Sequence, residues 1–125
     1  MTQKEIHLLL QDLSSRLRYG VQLYVPGYLV PYKLLGIDGD VLHIDTPVYD
    51  EGDGFFELDC FDIKPYLRPL SSMTEEEYKE YKYQRDRHGG YYGFDYLNSI
   101  HIDYRHLIPQ GLALEAPEGM YKSEE

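Results

Sequence analysis

Apolar residues recur with the period of an α-helix at the start of the chain. Thr2-Gln3-Lys4-Glu5 has the form of a capping box, in which the Thr hydroxyl and the Glu carboxylate accept hydrogen bonds from free backbone amides. Gly20 is a typical helix stop. The pattern predicts a helix over residues 3–18, with one apolar face formed by Ile6, Leu9, Leu10, Leu13 and Leu17.

After residue 20 the pattern changes to the short alternating runs of β-strands. Asp38-Gly39 is a hairpin signal, because the central residues of a type I′ turn need positive φ and both tolerate it. Asp59-Cys60-Phe61-Asp62 is consistent with a single helical turn. The predicted strands cover residues 21–25, 28–37, 42–44, 55–58 and 63–67.

The segment 62–77 joins the predicted strands to predicted helices. Pro65 and Pro69 favour an extended path, and Ser72 and Thr74 can each cap a helix. With Glu77 three residues after Thr74, a second capping box is predicted. The second helix should then end at Gly89-Gly90.

Shorter elements are predicted beyond residue 90. Tyr91-Tyr92-Gly93-Phe94 is interpreted as an aromatic loop, and Asp95 as the cap of a short helix. Asp103 should cap a turn that runs through Leu107. Residues 112–114 are predicted as a last strand, and residues 115–125 as a frayed tail.

Together these elements predict a single α+β domain over residues 1–125. It divides into an N-terminal helix (1–20), a strand region (21–70), a helical region (71–114) and the tail. About five short strands with a central hairpin match the order of a small SH3-like antiparallel β-barrel. An open, bent sheet covered by the first helix fits equally well, since periodicity does not separate the two.

Composition restricts the classes of function. No apolar run is long enough to cross a bilayer, and the single cysteine, Cys60, allows no internal disulfide, so a cytoplasmic location without membrane contact is expected. The net charge is -10, and residues 21–63 hold one Lys or Arg against nine Asp or Glu. Because such a surface repels phosphates, direct nucleic-acid binding is not expected.

The second half of the chain contains several distinctive strings. They are the run 63–77, Asp95-Tyr96-Leu97-Asn98, Asp103-Tyr104-Arg105, Leu107-Ile108 and the run 111–121. Together these strings resemble a group of small uncharacterised proteins from phage or prophage-like regions of gut Bacteroides relatives. The resemblance implies a mobile-element origin in a bacterial host, and it implies no activity and no site residue.

Acidic and histidine residues suggest metal chemistry only weakly. The acidic run lacks the ligand spacing of an EF-hand, so we predict a solvated acidic surface formed by Asp38, Asp40, Asp50, Glu51 and Asp53. The pairs His43-Ile44-Asp45 and His101-Ile102-Asp103, with His106 nearby, lack an identifiable third ligand. No catalytic, cofactor or metal residue is predicted, and Cys60 is expected in the core.

The tyrosine-rich stretch after residue 77 is the main candidate for binding. Tyrosine combines an apolar ring with a hydroxyl, which suits protein contacts, although the rings could instead cover the sheet. We therefore predict a non-enzymatic protein–protein interaction module that could also form homo-oligomers. The alternatives are an acidic phosphate mimic that inhibits a host protein, and a small metal-dependent hydrolase. The predicted interaction surface consists of Tyr78, Tyr81, Arg85, Tyr91, Tyr92 and Phe94.

Overall fold

The computed structural model describes residues 2–27, 30–45, 54–57 and 63–121, with the backbone alone described for 54–57. Within these ranges the chain has three α-helices and six strands. The helices are α1 (Gln3–Arg16), α2 (Glu75–His88) and α3 (Gly90–Ser99), and single 3₁₀ turns lie at Leu17–Tyr19 and Leu70–Ser72. The strands are β1 (Gln22–Tyr24), β2 (Tyr32–Asp38), β3 (Val41–Asp45), β4 (Gly54–Glu57), β5 (Lys64–Leu67) and β6 (Leu114–Glu115).

The strands form one open, mixed sheet in the order β4-β3-β2-β1-β5-β6. The first five are antiparallel to their neighbours, and the two-residue β6 lies parallel to β5. Among the described strands β4 and β6 are edges that do not meet. The α+β class is therefore confirmed, and the closed SH3-like barrel is not, because the sheet remains open.

The β2–β3 hairpin turns one residue later than the sequence indicates. Asp38 pairs with Val41, so the central turn residues are Gly39 and Asp40. Gly39 has a φ of 66°, which glycine adopts without steric cost. The predicted turn at residues 59–62 lies outside the described residues.

The hydrophobic core lies between α1 and one face of the sheet. Leu9 and Leu13 of α1 pack with residues from four strands and from the segment that follows α3, which makes a single apolar cluster. The capping box at Thr2 and Glu5 is present, as predicted. The fully or nearly fully buried members of the cluster include Val21, Leu23, Leu34, Leu42, Ile44, Ile63, Leu67 and Leu107.

Helices α2 and α3 form a hairpin in which the single residue Gly89 links the two helices. The second capping box is confirmed, since Glu77 N donates to Thr74 Oγ1 and Thr74 N donates to Glu77 Oε1. Gly89, at a φ of 104°, ends α2, and α3 begins at once with Gly90. The predicted aromatic loop at residues 91–94 is therefore wrong, because these residues form the first turns of α3. Asp95 lies inside that helix instead of capping it.

The segment after α3 returns to the sheet. Asp103 accepts hydrogen bonds from the amides of Leu107 and Ile108 at 2.8 and 2.9 Å, as expected of a capping residue. The backbone amide of Ala116 donates to Leu67 O at 2.7 Å, and the chain is placed as far as Tyr121. Of the predicted frayed tail, Glu115 therefore belongs to β6, and Ala116 and Tyr121 are attached to the sheet by hydrogen bonds.

Candidate functional site

The α2–α3 hairpin presents the largest group of exposed aromatic rings in the described part of the chain. Helix α2 has fourteen residues, none of which is buried. Its inner side approaches α3 closely at Gly93, where a Cβ atom would lie 3.0 Å from Arg85 Cβ. The rings outside this contact form what we call the aromatic hairpin surface: Tyr78 (48% exposed), Tyr83 (49%), Tyr91 (71%), Tyr92 (52%) and Phe94 (48%).

The tip of the hairpin, where α2 ends and α3 begins, carries a chain of four rings in contact: Tyr83, His88, Tyr92 and Tyr91. His88 lies between Tyr83 and Tyr92, with centroid distances of 6.3 and 5.5 Å, and Tyr92 meets Tyr91 edge-on at 5.3 Å. The chain reverses at Gly89, which brings the end of α2 and the start of α3 together, so that His88 meets Tyr92. The tip is thus a continuous aromatic patch.

Basic side chains cover the tyrosines of α2 at a regular spacing. Lys82, Arg85 and Arg87 each lie over the ring four residues earlier, at 5.5, 5.4 and 5.5 Å from the centroids. Each contact is a cation–π interaction of modest strength at an exposed site. The second half of α2 is therefore aromatic and basic, whereas its first turn carries three glutamates.

All six predicted interaction residues lie on this hairpin, but they do not form one face. Tyr81 is half-buried beside Gly93, and Arg85 pairs with Asp86 at 3.1 Å. Phe94 stacks on Tyr104 at 5.0 Å, toward the body of the protein. Tyr83 belongs to the same tyrosine-rich stretch but is not among the residues of the predicted interaction surface, although its i,i+4 spacing to Arg87 indicates the contact that the structure shows.

The predicted acidic surface is described only in part. Asp38 and Asp40 are exposed at the β2–β3 turn. Asp50, Glu51 and Asp53 lie outside the described residues, as does Cys60.

The histidine–aspartate pairs do not form a metal site within the described ranges. No group of three His, Cys, Asp or Glu residues there could hold an ion. His43 is half-buried and Asp45 exposed on β3, Asp103 is engaged as a cap, and His106 is exposed. The hydrolase alternative thus has no support among the described residues.

A buried polar cluster connects α1 to the segment after α3, and the sequence did not predict it. Asp12 accepts two hydrogen bonds from Arg16, at 2.9 and 3.1 Å, and one from Arg105 at 2.7 Å. Arg16 also donates to Ile102 O at 2.7 Å. Asp12 and Arg16 have no exposed surface. The Asp12 carboxylate thus pairs with both arginines, whereas the buried Nη1 of Arg16 has no hydrogen-bond partner among the described residues. These contacts tie the returning segment to α1.

His101 lies in that segment and is almost completely buried. Its backbone is left-handed, with a φ of 61°, an uncommon conformation for a non-glycine residue. Its Nε2 lies 3.1 Å from Tyr19 O, and since a carbonyl only accepts, Nε2 carries the proton. Burial and the nearby charge of Arg16 lower the pKa of His101 to about 4. The imidazole is therefore neutral near pH 7, and its buried Nδ1 has no hydrogen-bond partner among the described residues.

A cleft of about 1230 Å³ opens beside His101. Arg68 and Glu77 line this cleft and form a bidentate ion pair, with hydrogen bonds of 2.8 and 2.9 Å. These hydrogen bonds lower the pKa of Glu77. Tyr121 stacks on His101 at 3.9 Å between centroids. Lys33 also lines the cleft. A neutral imidazole, a paired arginine and a stacked phenol suit binding better than acid–base chemistry at neutral pH.

Comparisons with known proteins give no relationship. No protein-family model, no curated protein and no solved structure matches this chain. In the parts of the chain that the structure describes, none of the helices has the length and apolar character needed to cross a membrane.

Proposed function

We propose that this protein is a non-enzymatic protein–protein interaction module that binds its partner through the aromatic hairpin surface. The observation that carries the proposal is that α2 buries none of its residues while the hairpin exposes five large rings. Tyrosines of this kind are enriched at protein interfaces, where the ring is buried and the hydroxyl finds a polar partner.

The charges of the hairpin indicate the chemistry of the partner. The tip carries Lys82, Arg85 and Arg87 against Asp86, on a chain whose net charge is -10. A surface with carboxylates around an apolar patch would complement it. The acidic turn at Asp38 and Asp40 of a second copy is one such surface. Under the phage or prophage origin that the sequence resemblance implies, a protein of the phage or its host is another.

A double substitution at the tip tests the proposal. Tyr83→Ser with Tyr92→Ser removes two exposed rings, and Leu35→Ser is the matched control because Leu35 is 44% exposed on the sheet, away from the hairpin. Partners captured by the wild type would be identified, purified and titrated against all three proteins at low and high salt. Self-association would be measured in parallel by sedimentation.

We expect the double variant to bind at least tenfold more weakly and the control to bind as the wild type does, since central tyrosines often contribute most to interface energy. Added salt should weaken the wild-type complex. The proposal fails if the tip variant binds every partner with unchanged affinity. It also fails if the wild type captures no partner and remains monomeric at all concentrations.

A further inference from the structure

The side chain of Tyr121 lies between two strands of the sheet and is bound there by hydrogen bonds and ring stacking. Its hydroxyl accepts a hydrogen bond from Gln22 N at 2.7 Å and donates one to Tyr66 O at 2.8 Å. Its ring stacks on His101 at 3.9 Å between centroids. Both hydrogen bonds are made to the backbone of neighbouring strands, and the His101 ring supplies the stacking surface.

We call the site of the Tyr121 ring, between Gln22, Tyr66 and His101, the slot. It exists because the pairing of β1 with β5 ends at Leu23 and Pro65. The β1–β5 ladder joins Tyr24 to Lys64 and Leu23 to Pro65, and its antiparallel continuation places Gln22 opposite Tyr66. The Tyr121 hydroxyl bridges Gln22 N and Tyr66 O, where a direct backbone hydrogen bond would otherwise complete the ladder. The separated strands thus offer one donor and one acceptor at the spacing of a single hydroxyl.

The other wall of the slot is held rigidly. His101 Nε2 donates to Tyr19 O, which fixes the orientation of the ring. Burial raises the pKa of Tyr121, so its hydroxyl keeps the proton that it donates to Tyr66 O. The cleft of about 1230 Å³ extends beyond the phenol ring, which leaves room for more than one side chain.

The segment that delivers Tyr121 has few other attachments. Residues 117–119 are exposed, and Met120 N donates within the segment, to Pro117 O. Among the described residues, the hydrogen bonds that tie 117–121 to the rest of the protein are those of the Tyr121 hydroxyl. The segment after Ala116 is therefore attached to the rest of the protein mainly through the side chain of Tyr121.

We propose that the slot between Gln22, Tyr66 and His101 is a recognition site for a tyrosyl side chain carried on a peptide, and that Tyr121 is its intramolecular occupant. A peptide from another molecule can bind when Tyr121 leaves. This site is separate from the aromatic hairpin surface, and neither proposal depends on the other.

The test removes the internal occupant from the full chain and supplies the phenol from solution. Tyr121→Ala would be titrated with p-cresol and with toluene, which has the same ring but no hydroxyl, by calorimetry and thermal unfolding. A peptide of residues 114–121 and its Tyr-to-Phe form provide the second pair of probes. Tyr91→Ala, which removes an exposed ring, is the control.

We expect p-cresol to bind Tyr121→Ala at least about tenfold more tightly than toluene, because a site built to hydrogen-bond a hydroxyl discriminates against analogues that lack it. The peptide should bind more tightly than its Phe form. Wild type and Tyr91→Ala should bind p-cresol at least about tenfold more weakly, since Tyr121 competes. If the variant unfolds, the same probes should restore its circular dichroism, because a ligand stabilises the state that binds it.

Equal affinity for p-cresol and toluene would reduce the slot to an apolar cavity and overturn the proposal. Absence of binding by either probe would do the same. If p-cresol binds but the two peptides bind equally or not at all, recognition of a peptide tyrosine is disproved.

Discussion

The body of this protein buries charges, whereas its helical hairpin exposes aromatic rings. Asp12 and Arg16 are completely buried between α1 and the returning segment, and Tyr91 on α3 is 71% exposed. This reverses the usual distribution, in which charged side chains face water and large rings are inside.

The two regions differ in whether their charged or aromatic side chains have partners within the protein. In the body, the Asp12 carboxylate accepts from two arginines, and Arg16 also reaches a backbone carbonyl. On the hairpin, the rings contact mainly each other and the side chains of Lys82, Arg85 and Arg87. Charges in the body therefore maintain the fold, and the rings of the hairpin remain available to another molecule.

The largest expected effect comes from Asp12→Ala. It leaves the guanidinium groups of Arg16 and Arg105 without their carboxylate, and breaking a buried pair in this way costs about 3–5 kcal/mol of unfolding free energy. Asp86→Ala is the matched control, because Asp86 pairs with Arg85 in solvent and should contribute less than about 1 kcal/mol. Urea unfolding measures both, and equal losses would contradict the contrast between body and hairpin.

Protonation of His101 should have the next largest effect. Its pKa is about 4 in the folded protein against an ordinary 6.5, so the unfolded chain binds the proton first as the pH falls. The free energy of unfolding is therefore not reduced by this group above about pH 6.5, and it falls by about 3 kcal/mol as the pH is lowered toward 4.

His101→Asn removes the titrating ring and keeps a residue that tolerates left-handed backbone. Urea unfolding between pH 7 and 4 should therefore give a flatter stability curve for His101→Asn than for the wild type. Parallel curves would show that His101 is not responsible.

Gly93→Ala should separate the two helices of the hairpin at a smaller cost. The new methyl group would lie 3.0 Å from Arg85 Cβ and 3.1 Å from Tyr81 Cε1, and overpacking of this kind costs about 1–3 kcal/mol. The higher helix propensity of alanine offsets up to about 1 kcal/mol of that cost. Gly90→Ala is the control, since a Cβ there meets no atom within 4 Å. Thermal unfolding should show a loss for the first variant only, and a loss of the same size for both would disprove the close approach.

The smallest effect on stability is expected for Tyr91→Ala. This ring is the most exposed in the described part of the chain, so its loss should change the unfolding free energy by no more than about 0.5 kcal/mol. Chemical denaturation measures the change. A loss above about 2 kcal/mol would mean that the hairpin rings maintain the fold, as the charges of the body do.

Local features of this fold could be predicted from sequence, because their partners lie three or four residues apart. Both capping boxes and the helical period of α1 are of this kind. The aromatic loop was mispredicted because Gly89-Gly90 indicates a break, and only the conformation of Gly89 shows that a new helix starts at once.

The buried cluster and the slot depend on contacts that sequence spacing does not reveal. Asp12 and Arg16 have the spacing of an ordinary surface pair, and Arg105 is 93 residues from Asp12. Likewise, Tyr121 meets Gln22 across 99 residues, in a stretch whose composition indicates a frayed end. The left-handed backbone of His101 has no signature in its side chain.

If the hairpin binds a partner as proposed, Glu77 affects the cost of that binding. Its carboxylate caps α2 through Thr74 N and also pairs with Arg68, which directly follows β5. The first turn of α2 is thereby fastened to the sheet, so the helix is preorganised before any encounter. Binding would then need to order only the side chains at the tip, which reduces the entropic penalty of association.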